Sequence, residues 1–142
     1  METFAFTGAR FLDSIQTETV REVLLSLPRR SYWLVGCAGG LDALARELAP
    51  KTLVLFEAQN RKPWELQARS KRMIDELAAA GGILHAFPNK PCPMELTRDR
   101  WCGSGTWGTA FYAHLKGCPV VVHPLAEMDL PGWLHQEQLN LF

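Results

Sequence analysis

The sequence predicts an α/β three-layer sandwich, a five-stranded and mainly parallel sheet with helices on both faces. Short apolar runs alternate with longer amphipathic ones along the chain, as strands and helices do in such a fold. The runs "TLVLFEA" and "CPVVVHPL" are continuously apolar, the pattern of strands covered on both faces. Several runs are followed by glycine-rich turns leading toward helical patterns, joined by right-handed crossovers.

In chain order, "TFAF" (residues 3–6) reads as the first strand and "TGAR" (residues 7–10) as its turn. Asp13 or Ser14 can cap a helix running to about Leu27, where Pro28 stops it. "YWLVG" (residues 32–36) is a second strand, and "CAGGLDALARELAP" a glycine-rich turn feeding a helix that ends at Pro50. "TLVLFEA" is the third strand. Pro63 suits the first position of the next helix, which the glycines of "AAAGG" terminate. "ILHAF" is the fourth strand and "PNKPCPMELTRDRWC" a proline-punctuated loop. "GSGTWGTA" then opens a helix, and "PVVVH" is the fifth strand. After Pro124 the pattern lapses, so residues 1–125 are expected to form the domain and 126–142 a tail.

A chain of 142 residues suffices for one domain, burying about two thirds of its unfolded surface. Its 15 basic and 15 acidic residues cancel, which argues against a broad positive field but leaves room for a local basic cleft. No apolar run approaches the ~20 residues of a membrane span. "METFAFTGAR" lacks a signal-peptide layout, so a cytoplasmic protein without membrane attachment is expected. Cys37, Cys92, Cys102 and Cys118 form no C-x-x-C pair, so no metal site is expected and the thiols read as reduced and partly buried.

In a parallel sheet every strand-to-helix turn lies at the carboxyl edge, where ligands bind. Three such turns are unusually small. They contain Thr7, Gly8 and Arg10; Gly36, Cys37, Ala38, Gly39, Gly40 and Asp42; and Gly103, Ser104, Gly105, Thr106, Trp107 and Thr109. "GSGTWGTA" makes a poor helix interior, since glycine costs about 1 kcal/mol against alanine there. It suits a backbone that approaches an anion at a helix N-terminus. The hydroxyls of Thr7, Ser104, Thr106 and Thr109 can donate to a ligand or serve as caps, and Asp42 is expected to cap its own helix.

These residues resemble the SLOG superfamily, a Rossmann-like group that includes the LOG nucleotide phosphoribohydrolases and the DNA-processing proteins. "FTGAR" is similar to its first-strand turn, and "VGCAGGLDALARE" to its G-G-A-x-G-x-D-x-x-A segment, with Cys37 where glycine is usual. "RSKRM" (residues 69–73) resembles its R-x-x-x-M element, and "SGTWGTAFYAHLKGCPVVV" its G-T turn, helix and last strand. The resemblance implies strand order 3-2-1-4-5, a nucleotide or NAD-like ligand, Gly105 and Thr106 at a phosphate, and Arg69 reaching the site. LOG hydrolases carry P-G-G-x-G-T-x-x-E, and the position of that glutamate is Thr109 here. A threonine hydroxyl takes no proton near neutral pH. Glu57, after the third strand, is the acid expected at the same edge. Lys90, Arg98, Arg100 and Trp101 form a basic-aromatic set that can lid a phosphate and stack a base, or form an ordinary loop anchored by one tryptophan.

The chain ends in "QLNLF", similar to the peptide Q-L-[S/D]-L-F that binds the bacterial sliding clamp. There the pair Leu141 and Phe142 would fill an apolar pocket and Gln138 would hydrogen-bond at a second subsite, with Leu139 also among the partner-binding residues. The alternative is a segment folded back with Trp133 onto the domain. The expected function is binding, with little or no catalysis, of a nucleotide-type ligand, with recruitment to the clamp. The alternatives are an N-glycosidic hydrolase using Arg69 and Glu57, and a single-stranded DNA-binding accessory protein. A homo-oligomer is compatible with the chain.

Overall fold

The computed structural model describes residues 1–134. It contains β1 (Glu2–Gly8), α1 (Ser14–Ser26), β2 (Ser31–Val35), α2 (Leu41–Leu48), β3 (Leu53–Leu55), α3 (Pro63–Ala79), β4 (Ile83–Phe87), α4 (Gly105–Leu115) and β5 (Val120–Val122). The strands form one sheet in the order β3-β2-β1-β4-β5, every neighbouring pair parallel. The expected architecture and strand order are both observed.

Alternation along β1 divides the core. Phe4 and Phe6 face one side with Trp33, Val35, Val20, Leu24 and Leu44, against α1 and α2. Ala5 faces the other with Leu34, Leu84, Ala86, Met73, Leu77 and Ala110, against α3 and α4. Successive side chains of a strand point to opposite faces, so one short apolar run serves both layers.

Local chemistry sets the helix ends. Asp13 caps α1 in a reciprocal box: its carboxylate accepts from the Gln16 N–H at 2.7 Å, and the Gln16 side chain accepts from the Asp13 N–H at 3.1 Å. Pro63 stands in the first turn of α3, and Gly81, with φ +67°, follows its end. Two expectations are corrected. The third strand is not covered on both faces, because β3 is the sheet edge and leaves Val54 and Leu55 exposed. Asp42 does not cap α2: Gly40 stands at that position, and Asp42 lies inside the first turn with its carboxylate turned elsewhere.

Beyond β5 the chain stays on the domain. Leu134 is buried, and Met128, Leu130 and Trp133 pack on the α3–α4 side of the core. The expected clamp-binding residues Gln138, Leu139, Leu141 and Phe142 lie outside the described residues. No helix among the described residues is long and apolar enough to cross a membrane. Among the same residues, no group of three or more His, Cys, Asp or Glu is placed to hold a metal ion.

Candidate functional site

Hydrogen bonds and close packing stitch the first two glycine turns together. The Ala9 N–H donates to the Phe87 carbonyl at the end of β4 (3.2 Å), and the Ala9 carbonyl accepts from the Leu41 N–H at the start of α2 (2.9 Å). Glycine permits this approach. A Cβ on Gly8 would stand 2.7 Å from the Leu41 side chain, and one on Gly40 would stand 2.3 Å from the Ala9 carbonyl oxygen. Gly40 also has φ +58°, a backbone state that L side chains rarely adopt.

A cleft of about 880 Å³ opens between the ends of β1 and β4. These strands adjoin where the strand order reverses, the position at which open α/β sheets take ligands. Thr7, Gly8, Arg10, Ala38, Asp42, Arg69, Gly103, Ser104, Gly105, Thr106 and Trp107, all singled out in the sequence, line it.

The start of α4 forms one wall. Gly103 turns the chain with φ +76°, and the Ser104 hydroxyl caps the helix by accepting from the Trp107 N–H at 3.2 Å. The N–H groups of Gly105 and Thr106 belong to the first turn, which a helix cannot pair internally. No atom lies within 4 Å of a Cβ built on Gly105, and both Gly105 and Thr106 line the cleft. The positive end of the helix dipole favours an anion there.

Opposite stands a buried ion pair. The Arg69 Nη1 lies 3.4 Å from the Asp42 carboxylate, both side chains under a tenth exposed. Asp42 also accepts from the Ala38 N–H (3.1 Å), and Arg69 donates to the Ser70 hydroxyl (3.3 Å) and the Cys37 sulfur (3.7 Å). Burial pushes the Asp42 carboxyl above the usual carboxylate range, against the lowering pull of the Arg69 charge. The buried Arg69 Nε has no hydrogen-bond partner among the described residues. One carboxylate therefore leaves one N–H of the guanidinium buried without such a partner, in a residue that lines the cleft.

The second turn acts as a scaffold for this pair. Arg46, which the sequence reading missed, donates to the carbonyls of Gly36 (2.8 Å) and Ala38 (2.9 Å). Gly36, Cys37, Gly39 and Gly40 do not line the cleft. Their turn spends its polar groups on Arg46, Asp42 and Arg69.

The other expected residues divide. Glu57 is exposed and does not line the cleft, so the acid beside Arg69 is Asp42, with Asp99 also lining the wall. The Thr109 hydroxyl donates to its own helix at the Gly105 carbonyl (2.7 Å) and is buried. Trp101 is an anchor: it is buried, its Nε1 donates to the Arg98 carbonyl (2.9 Å), and a Cβ on Gly108 would stand 2.0 Å from its ring. The Trp107 Nε1 ties the same loop down at the Lys90 carbonyl (2.7 Å). Gln67 and Lys71 of α3 hold Asp99. The loop is thus pinned to α3 and α4, and Lys90 and Arg100 stand exposed along the cleft. The lining also includes Phe11, Gln67 and Ser70, which sequence reasoning passed over. For Phe11 the available signal was a large apolar residue directly after a glycine turn, outside any helical or strand period.

No protein-family model and no curated protein matches this sequence. A solved structure does match: DNA processing protein A from Helicobacter pylori, studied for its single-stranded DNA binding mode. The TM-score is 0.60 at 14% identity, over 85% of this chain and 64% of that one, so this chain spans less than two thirds of its neighbour's length. A likeness at that identity is one of fold: the chain has the Rossmann-like α/β fold seen in DNA processing protein A.

Proposed function

We propose that the cleft binds the phosphate of a nucleotide-type ligand. One observation carries the reading: the open N-terminus of α4 and the buried, incompletely paired Arg69 line the same cleft at the switch in strand order. Arg10 and Lys90 add exposed positive charge along it, and Arg100, ion-paired with Glu95 at 3.6 Å, stands on the same rim. Binding of this kind requires no acid at position 109.

A thermal-shift series with nucleoside mono- and diphosphates and NAD tests the reading. Ligand at 100 times its Kd adds about 2.7 kcal/mol, several degrees for a domain of this size. Arg10→Ala and Lys90→Ala should reduce the shift without lowering the unliganded transition, since both side chains are exposed. Absence of a shift with every phosphate-bearing compound would end the proposal.

Single-stranded DNA is the second reading, favoured by the same exposed cations and by the fold shared with a protein that binds it. It requires affinity for an oligonucleotide that falls steeply with salt. Indifference to single strands at low salt excludes it.

A further inference from the structure

Three aromatic side chains line the cleft: Phe11, Trp101 and Trp107. The two tryptophans are committed. Trp101 packs on Gly108, and Trp107 is buried with its ring edge-on to Trp133 at 6.2 Å. Phe11 differs, being 86% exposed, whereas Phe4, Phe6 and Phe87 on the strands are at most 1% exposed.

Phe11 is also held in place. Ala9 is bonded on one side to β4 and on the other to α2. Leu12 packs into the core beside α1, and Asp13 is locked in its capping box. Residues 10 and 11 therefore bridge two fixed points. An exposed aromatic ring on anchored backbone loses little freedom when a ligand settles on it.

We infer that Phe11 stacks on the base of the ligand, so that the cleft selects base-bearing nucleotides over inorganic phosphate and sugar phosphates. The inference rests on the phosphate-binding reading above and adds the surface that recognises the rest of the ligand. Stacking on an aromatic face tolerates any base, so Phe11 confers preference for a base without choosing among bases. Arg10, directly before it, brings positive charge to the same rim.

The test compares two matched pairs by calorimetry: adenosine 5′-monophosphate with ribose 5-phosphate, and a thymidine 12-mer with an abasic 12-mer of equal phosphate count. The protein should favour the base-bearing member of at least one pair by about tenfold, as one stacked base contributes. Phe11→Ala should abolish that preference while leaving the affinity for the base-free member unchanged, and Phe11→Tyr should keep it. Thermal unfolding of the unliganded variants should match the parent, because the ring is exposed. Equal binding within both pairs, or a preference that survives Phe11→Ala, overturns the stacking role while the phosphate reading stands. If none of the four compounds binds, the stacking role falls, and the phosphate reading is decided by the thermal-shift series with diphosphates and NAD.

Discussion

Arg69 fills the space that Gly36 leaves. A Cβ at Gly36 would stand 1.9 Å from the Arg69 Nη1 and 2.5 Å from the Asp42 Oδ2, so the missing side chain admits the whole ion pair to the carboxyl edge. Lengthening the turn residue by one carbon should therefore act through charge placement as well as bulk.

Gly36→Ala is expected to destabilise the fold by about 1–3 kcal/mol, the usual cost of overpacking. It should also weaken binding of a phosphate-bearing ligand. Urea unfolding and the thermal-shift series measure the two effects. A stable variant with full binding would mean that Arg69 relocates freely.

Asp42→Ala leaves the Arg69 charge buried without its carboxylate, and breaking such a pair costs about 3–5 kcal/mol. Combined with Arg69→Met the loss should be clearly less than the sum of the two single losses, because the orphaned charge is then gone. Strict additivity in denaturant unfolding would refute the coupling.

At Gly108 the constraint is a ring. Gly108→Ala should displace Trp101 and cost about 1–3 kcal/mol, while exposing the segment 88–101 to limited proteolysis. Unchanged cleavage and stability would show that Trp101 does not anchor this loop.

Acid should weaken the fold through two histidines. The His85 Nδ1 and His123 Nε2 lie 2.9 Å apart. Burial, and for His85 the neighbouring imidazole, lower their pKa values from 6.5 to about 3 and about 4. Below pH 6.5 the unfolded chain binds protons that the folded chain refuses, so their contribution is complete above 6.5 and is lost as pH falls toward 4. The fully buried His85 alone accounts for at most about 1.4 kcal/mol per pH unit in that window. The urea midpoint should fall between pH 7 and pH 5, and fall less in His123→Gln. Equal slopes in the two proteins would rule out this origin.

The terminal peptide is tested apart from the cleft. Recovery of a bacterial sliding clamp in a pull-down should drop to background in Leu141→Ala with Phe142→Ala. Equal recovery removes the clamp from the partners of this chain.

Much of the fold was legible because its signals are local. Alternating large and small residues in "TFAF" assign one face to Phe4 and Phe6 and the other to Ala5. Asp13 finds its cap three residues away, and Pro63 begins a helix because its missing N–H would be unpaired there anyway. The cleft was legible in outline, since alternation places every strand-to-helix turn at one edge. Its chemistry was less so. Asp42 looked like a cap and Glu57 like the nearest acid, each judged against its sequence neighbours, and nothing local marked Arg46.

What the sequence determined by itself is the alternation of strands and helices and the edge at which ligand chemistry would gather, because side-chain period and turn composition act over a few residues. Only the tertiary structure decided which groups meet there. Asp42 and Arg69 are 27 residues apart, and Phe11 is exposed because its neighbours on both sides are pinned. Such encounters depend on how separate crossovers close against one another, and a hydrogen bond or a buried charge responds to distance in space, whatever the separation along the chain.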